Sequence, residues 1–173
     1  MHNHNHQQGN NVKPYTLSSF LPLIVIMSLI IVITALKQYI QGWNIQNAMA
    51  DFMGTFFLIF GSFKIIALPD FAEAYSTYDL LAKRSRLYAY AYPFMELALG
   101  YAYLMRSYLL LANIVTLVLM TVGSIGVAIE LAHKRSIVCA CLGTVFKIPM
   151  TYVTLAEDSM MGLMALAMLC KIL

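Results

Sequence analysis

Long charge-free apolar runs alternate with short polar intervals along this chain. No charged residue occurs from Pro14 to Leu36, a stretch long enough for a helix to cross about 30 Å of hydrocarbon. No small-residue cleavage site follows it, so it reads as a retained first span rather than a signal peptide. A second run, Ala48 to Leu68, holds Lys64 near its far end and stops at Pro69. A third, Leu87 to Met105, opens with the alternating Tyr88, Tyr90 and Tyr92 before Pro93. Arg106 and Ser107 make a short turn into an uncharged fourth run, Tyr108 to Ile129. The last apolar stretch, from about Ile148 to Leu173, has Glu157 and Asp158 inside it. The pattern predicts an all-α integral membrane protein, a bundle of about five transmembrane helices. Between Pro69 and Arg86 the pattern changes. Phe71, Tyr75 and Tyr78 recur near helical spacing with charges opposite, which predicts one interfacial amphipathic helix over about residues 71–85.

Composition narrows the class further. The chain is 61% hydrophobic and 11% charged, whereas soluble domains are about a quarter charged. A soluble fold of this size could not hide that much apolar surface, so the lipid bilayer is the first partner. Three cysteines, Cys139, Cys141 and Cys170, are too few for a disulfide-dense secreted scaffold. The net charge of +3 does not indicate nucleic acid, because the basic residues sit at the ends of apolar runs without a stripe of stacking aromatics.

The same basic residues set orientation. With five spans, Lys13, Lys83, Arg84, Arg86, Lys134, Arg135 and Lys147 fall on one side, and Lys37, Arg106 and Lys171 on the other. The positive-inside rule makes the first side cytoplasmic, together with the N-terminus and the loop bearing Cys139 and Cys141. Trp43 and Tyr39 in the first linker suit a membrane–water boundary, as do Tyr88, Tyr90 and Tyr92. Residues 1–13 are polar and predicted to be disordered. Their alternating His2, His4 and His6 suit weak metal capture.

Cys139-Ala-Cys141 is the sharpest chemical feature. Two thiols one residue apart form a strained, easily reduced disulfide or hold a soft cation between thiolates. His133, Lys134 and Arg135 favour thiolate; Ile137, Val138 and Leu142 oppose it. Two small residues filling a loop contact is the plainer alternative. Cys170 lies near the far end of the last span and is expected to be a buried structural thiol. Glu96 falls in the middle of the third span, where a carboxylate costs a few kcal/mol unless it faces protein or water. Tyr92, Gly100 and Tyr103 share its face. Lys64 on the neighbouring span is a candidate partner, unless it snorkels to the surface. Glu157 and Asp158 burden the last span further. Met160, Met164 and Met168 line up below them at four-residue spacing, a stripe that suits packing more readily than Cu(I) transfer. No phosphate loop, hydrolase triad, HExxH or haem motif occurs, and nothing calls for a cofactor.

The segment from Phe63-Lys64 through Pro69-Asp70-Phe71 to Tyr92-Pro93-Phe94-Met95-Glu96 resembles the MauE/DoxX-like redox-associated membrane proteins. So does the stretch Cys139-Ala-Cys141-Leu142-Gly143 to Pro149, followed by Glu157-Asp158. The resemblance implies three parts: a His-bearing tail over 1–13, an extra N-terminal transmembrane span and linker over 14–47, and a helical bundle with a DoxX-like four-helix core over 48–173. It implies the bacterial inner membrane and a role in methylamine utilisation, in processing or maturing the disulfide-rich small subunit of methylamine dehydrogenase. By position, Cys139 and Cys141 would be the redox-active pair, with Glu96, Glu157 and Asp158 as the buried polar group.

Three readings follow from these residues. The leading one is thiol–disulfide exchange through Cys139 and Cys141 with a redox protein partner or an exported client. A second is soft-metal (Cu/Hg) binding or transport, with Cys139 and Cys141 as ligands. The third is a non-catalytic membrane assembly subunit. Whether the chain is an enzyme stays open at this level. Disulfide formation in an exported client calls for thiols outside the cytoplasm, whereas the charge count puts this pair inside.

Overall fold

A computed structural model describes residues 21–133, 138–139, 148–149 and 152–172. Six helices follow one another: α1 (Leu21–Gln41), α2 (Ile45–Ile66), α3 (Leu68–Tyr75), α4 (Arg86–Leu104), α5 (Leu109–Ala132) and α6 (Tyr152–Ile172). Between α5 and α6 two short strands, β1 (Val138–Cys139) and β2 (Ile148–Pro149), pair antiparallel with Cys139 opposite Ile148. The expected histidine tail lies outside the described residues, as do Lys134, Arg135, Cys141 and Lys147.

Among the described residues, α1, α2 and α5 are long and apolar enough to cross a membrane. Helices α4 and α6 are comparable in length, at 19 and 21 residues. The chain is thus a helical, multi-pass membrane protein in which, among the described residues, three helices meet the criterion of length and apolarity.

Local chemistry explains the breaks. Gly42 takes a left-handed φ of 88° at the end of α1, a region open to glycine at no steric cost. The Asn44 side chain then accepts from the backbone N–H groups of Gln46 and Asn47 at 2.9 and 3.2 Å, capping α2. Pro69 stands in the first turn of α3, where its missing N–H would be unpaired anyway. Ser85 caps α4. Arg106 and Tyr108 adopt positive φ of 52° and 53°, which turns the chain back within the four residues between α4 and α5.

Two helix pairs form the body, α2 along α4 and α5 along α6. The first pair is close because glycines face each other. A Cβ on Gly100 would stand 3.0 Å from the Gly54 carbonyl oxygen and 2.8 Å from Leu58 Cγ; one on Gly54 would stand 3.1 Å from the Gly100 oxygen. Small residues let helix backbones approach where lipid gives no hydrophobic drive between them. Phe57, Phe60, Met53 and Tyr103 fill the remainder of that seam, each 1% exposed or less.

Three sequence expectations are corrected here. The surface helix expected over 71–85 is helical only from Leu68 to Tyr75, and Phe71, Ala72 and Tyr75 are buried inside the bundle. Beyond it, the Asp79 carboxylate accepts from the N–H groups of Leu81 and Ala82, holding a turn in place of further helix. Tyr92, expected in an interfacial belt, is buried against Phe71 and Tyr75, while Tyr90 stays exposed. Cys170, expected to be buried, is exposed on α6. The buried stripe of that helix is Glu157, Met161, Ala165 and Met168.

Gly100→Leu is expected to destabilise the protein by about 1–3 kcal/mol, since the new side chain has only backbone and Leu58 to displace. Thermal unfolding in detergent checks it, and a midpoint equal to that of the unaltered chain would contradict the close α2–α4 seam.

Candidate functional site

The buried charges gather in one place. Lys64, near the end of α2, donates to Glu96 Oε1 of α4 at 2.5 Å. Both side chains are nearly out of reach of solvent, at 8% and 2% exposed. The spacing explains the meeting: α2 ends where α3 and the following turn carry the chain back to α4, so Lys64 lies beside the second and third turns of α4. Pro93, at the centre of that contact, presents its carbonyl to Gly61 across the seam. The lysine ammonium also sits over two aromatic rings, 5.0 Å from the centroid of Tyr92 and 5.6 Å from that of Phe71, an attraction between the cation and the negative faces of the rings.

These groups line a cavity of about 40 Å³ that α2, α3, α4, α5 and α6 enclose, room for a few waters. Phe56, Phe60, Phe71, Tyr75, Tyr78 and Tyr92 supply its aromatic wall. From α6, Glu157 and Asp158 face the same space, and Glu157 is buried. Asp158 Oδ2 lies 3.3 Å from the place a Cβ would occupy on Gly123, so the absence of a side chain there makes room for the carboxylate. Glu96 Oε2 is buried with no hydrogen-bond partner among the described residues. Burial pushes the Tyr75 phenol well above its ordinary value, with Tyr92 and Asp79 adding to the rise, so this hydroxyl is a neutral donor.

The structure therefore brings Lys64, Glu96, Glu157 and Asp158 together. It keeps Cys139 in β1, in the connection between α5 and α6, and Cys141 lies outside the described residues. The β1–β2 pairing follows the end of α5, whose Glu130 pairs with Lys83 ahead of α4. Among the described residues, no three of His, Cys, Asp and Glu are grouped so as to hold a metal ion.

Sequence reading missed two polar clusters. At the opposite end of the bundle, fully buried Asp51 accepts from Lys37 at 2.6 Å and Gln38 at 3.0 Å, both on α1, and from Arg106 at 3.3 Å. Lys37 and Arg106 were legible only as boundary charges; that both converge on one carboxylate depends on how α1 packs. In the second cluster, Tyr103 donates toward Asn113 Oδ1 and Thr116 Oγ1 at 2.8 and 3.0 Å, tying α4 to α5. The one hint in the sequence is Asn113, the single amide side chain in the fourth run.

The family model described as methylamine utilisation protein MauE matches residues 42–171. No curated protein and no solved structure matches the chain.

Lys64→Met leaves Glu96 buried without its cation and is expected to cost about 3–5 kcal/mol of stability. Pairing it with Glu96→Leu is expected to recover most of that loss, because no lone charge is then buried. A thermal-melt comparison of the single and double variants reads this directly. Equal melting of the unaltered chain and Lys64→Met would show that the pair holds nothing together.

Proposed function

The chain belongs to the MauE family, and we propose that this methylamine-utilisation-associated membrane protein works by thiol–disulfide exchange through Cys139 and Cys141, supporting the maturation of exported proteins. The observation that carries the reading is the placement of Cys139 on β1, which pairs with β2 between α5 and α6. Two cysteines one residue apart can close only into a strained disulfide, the kind that exchanges readily.

The exchange balances without a further reagent. A thiolate of a partner or client chain attacks one sulfur of the Cys139–Cys141 disulfide and forms a mixed disulfide. A second partner thiolate then resolves it, leaving the partner oxidised and Cys139 and Cys141 as thiols; the reverse sequence reduces a partner disulfide. His133 at the end of α5 and the basic residues that follow it in sequence favour the thiolate form these steps need.

In this reading α4 and α6 also cross the bilayer, their acids Glu96, Glu157 and Asp158 turned inward to the cavity at Lys64, which makes five spans. A helix of 19 or 21 residues covers about 30 Å. Lys83, Arg84, Arg86, Lys134 and Arg135 then share one side of the inner membrane with the thiol loop and the N-terminus, and the positive-inside rule assigns that side to the cytoplasm. The exchange partner is accordingly a cytoplasmic dithiol protein, or a client met before it crosses.

Serine in place of Cys139 or Cys141 is expected to lower the yield of correctly disulfide-bonded methylamine dehydrogenase small subunit to that of cells lacking the protein. Full yield from the double variant would sink the reading. In intact cells with Cys170 replaced by serine, a membrane-permeant maleimide should label the pair and an impermeant one should not; labelling by the impermeant reagent would place the thiols outside and reverse the orientation.

A further inference from the structure

The cavity walled by Tyr92, Glu96, Glu157 and Asp158 carries a charge imbalance that the thiol reading does not use. Three carboxylates, Glu96, Glu157 and Asp158, face it against one ammonium, that of Lys64. Lys64 satisfies only one oxygen of one carboxylate. Glu96 Oε2, on a residue 1% exposed, is buried and unpartnered among the described residues, and it borders the same space. Lys64 already neutralises Glu96, so the charge left to be met is that of Glu157 and Asp158, and carboxylates this deep need a proton or a cation beside them.

Aromatic faces decide between kinds of cation. A small metal ion would want a shell of oxygens, whereas six of the lining residues are Phe or Tyr. Such faces attract ammonium-type ions, whose charge is spread over polarised N–H and C–H groups. Lys64 is an internal example: its ammonium is held between the Glu96 carboxylate and the faces of Tyr92 and Phe71. The volume of about 40 Å³ suits a ligand of two or three heavy atoms and excludes bulky ones, given that a single water needs ~10–15 Å³ of such space.

We propose that this cavity is a binding site for one small alkylammonium ion, held by Glu96 Oε2 and the carboxylates of Glu157 and Asp158 against the ring of Tyr92. The site is independent of the cysteines. It lies beneath the turn at Tyr78, whose carbonyl oxygen is seated on Gly126 of α5, 2.7 Å from where a Cβ would stand. This turn and the Lys83–Glu130 ion pair beside it, at 2.7 Å, separate the cavity from the end of the bundle.

Equilibrium binding of radiolabelled methylammonium to the purified full chain in lipid nanodiscs tests the site. Saturable binding of one ion per chain is expected, undiminished by an equal concentration of sodium and unchanged in Cys139→Ser/Cys141→Ser. Glu157→Gln keeps the Lys64–Glu96 pair intact and should weaken binding by roughly tenfold or more; Glu96→Gln should do the same if it folds. Tetramethylammonium should compete poorly because of its size. Absence of saturable binding to the folded unaltered chain would overturn the proposal. So would equal competition by sodium, or full affinity in a folded Glu157→Gln variant. Proton uptake by the cavity without methylammonium binding would overturn it as well, and would identify the missing charge as a proton.

Discussion

An ionised side chain inside an apolar bundle must meet its counter-charge or raise the energy of the whole fold. The Lys64–Glu96 pair is where this constraint is met, and much of the molecule is arranged around it. Glycines at 54, 61 and 100 draw α2 and α4 close enough for the two side chains to touch. The short α3 brings Phe71 under the ammonium, and α4 sets Tyr92 on its other side. Helices α5 and α6 complete the enclosure with Gly123, Glu157 and Asp158. Satisfying the pair thus requires five consecutive helices to be in place, and it fixes the rotation of each helix about its own axis as well as its position.

What the sequence shows and what it hides follow from the range of the interactions. The apolar runs are local, so their helices lie within a few residues of the observed ones; the second run, Ala48 to Leu68, is α2 at Ile45–Ile66. Glu96 was legible because a carboxylate amid nineteen otherwise apolar or aromatic positions is itself an anomaly, and Lys64 because antiparallel neighbours of equal length must meet near that depth. The aromatic segment after Pro69 misleads for a physical reason. An amphipathic pattern says that one face is apolar, but not whether lipid or protein covers it, and here protein covers Phe71 and Tyr75. Asp51 was hidden for the opposite reason. It lies within an apolar run near a helix start, where an acid is unremarkable, and its partners come from 14, 13 and 55 residues away.

The proposed exchange thiols and the buried carboxylates also lie apart. Cys139 belongs to the connection between α5 and α6, at the end of the bundle where the Lys83–Glu130 pair lies. The buried carboxylates stand inside, behind aromatic walls. Thiol chemistry needs reach and some water; a desolvated cation site needs neither. Keeping the two in different surroundings lets either change with little effect on the other.

The cluster at Asp51 has a consequence for how the chain is made. The family match begins at residue 42, after α1, which reads as though α1 were an appended tether. Yet α1 supplies two of the three side chains that hold Asp51, the Lys37 ammonium and the Gln38 amide, and the third, Arg106, is synthesised 55 residues after the aspartate. A nascent chain with only α1 and α2 in the bilayer already has Lys37 and Gln38 for this carboxylate. The first helix is therefore part of the bundle's polar lock, since Asp51 would keep only Arg106 without it.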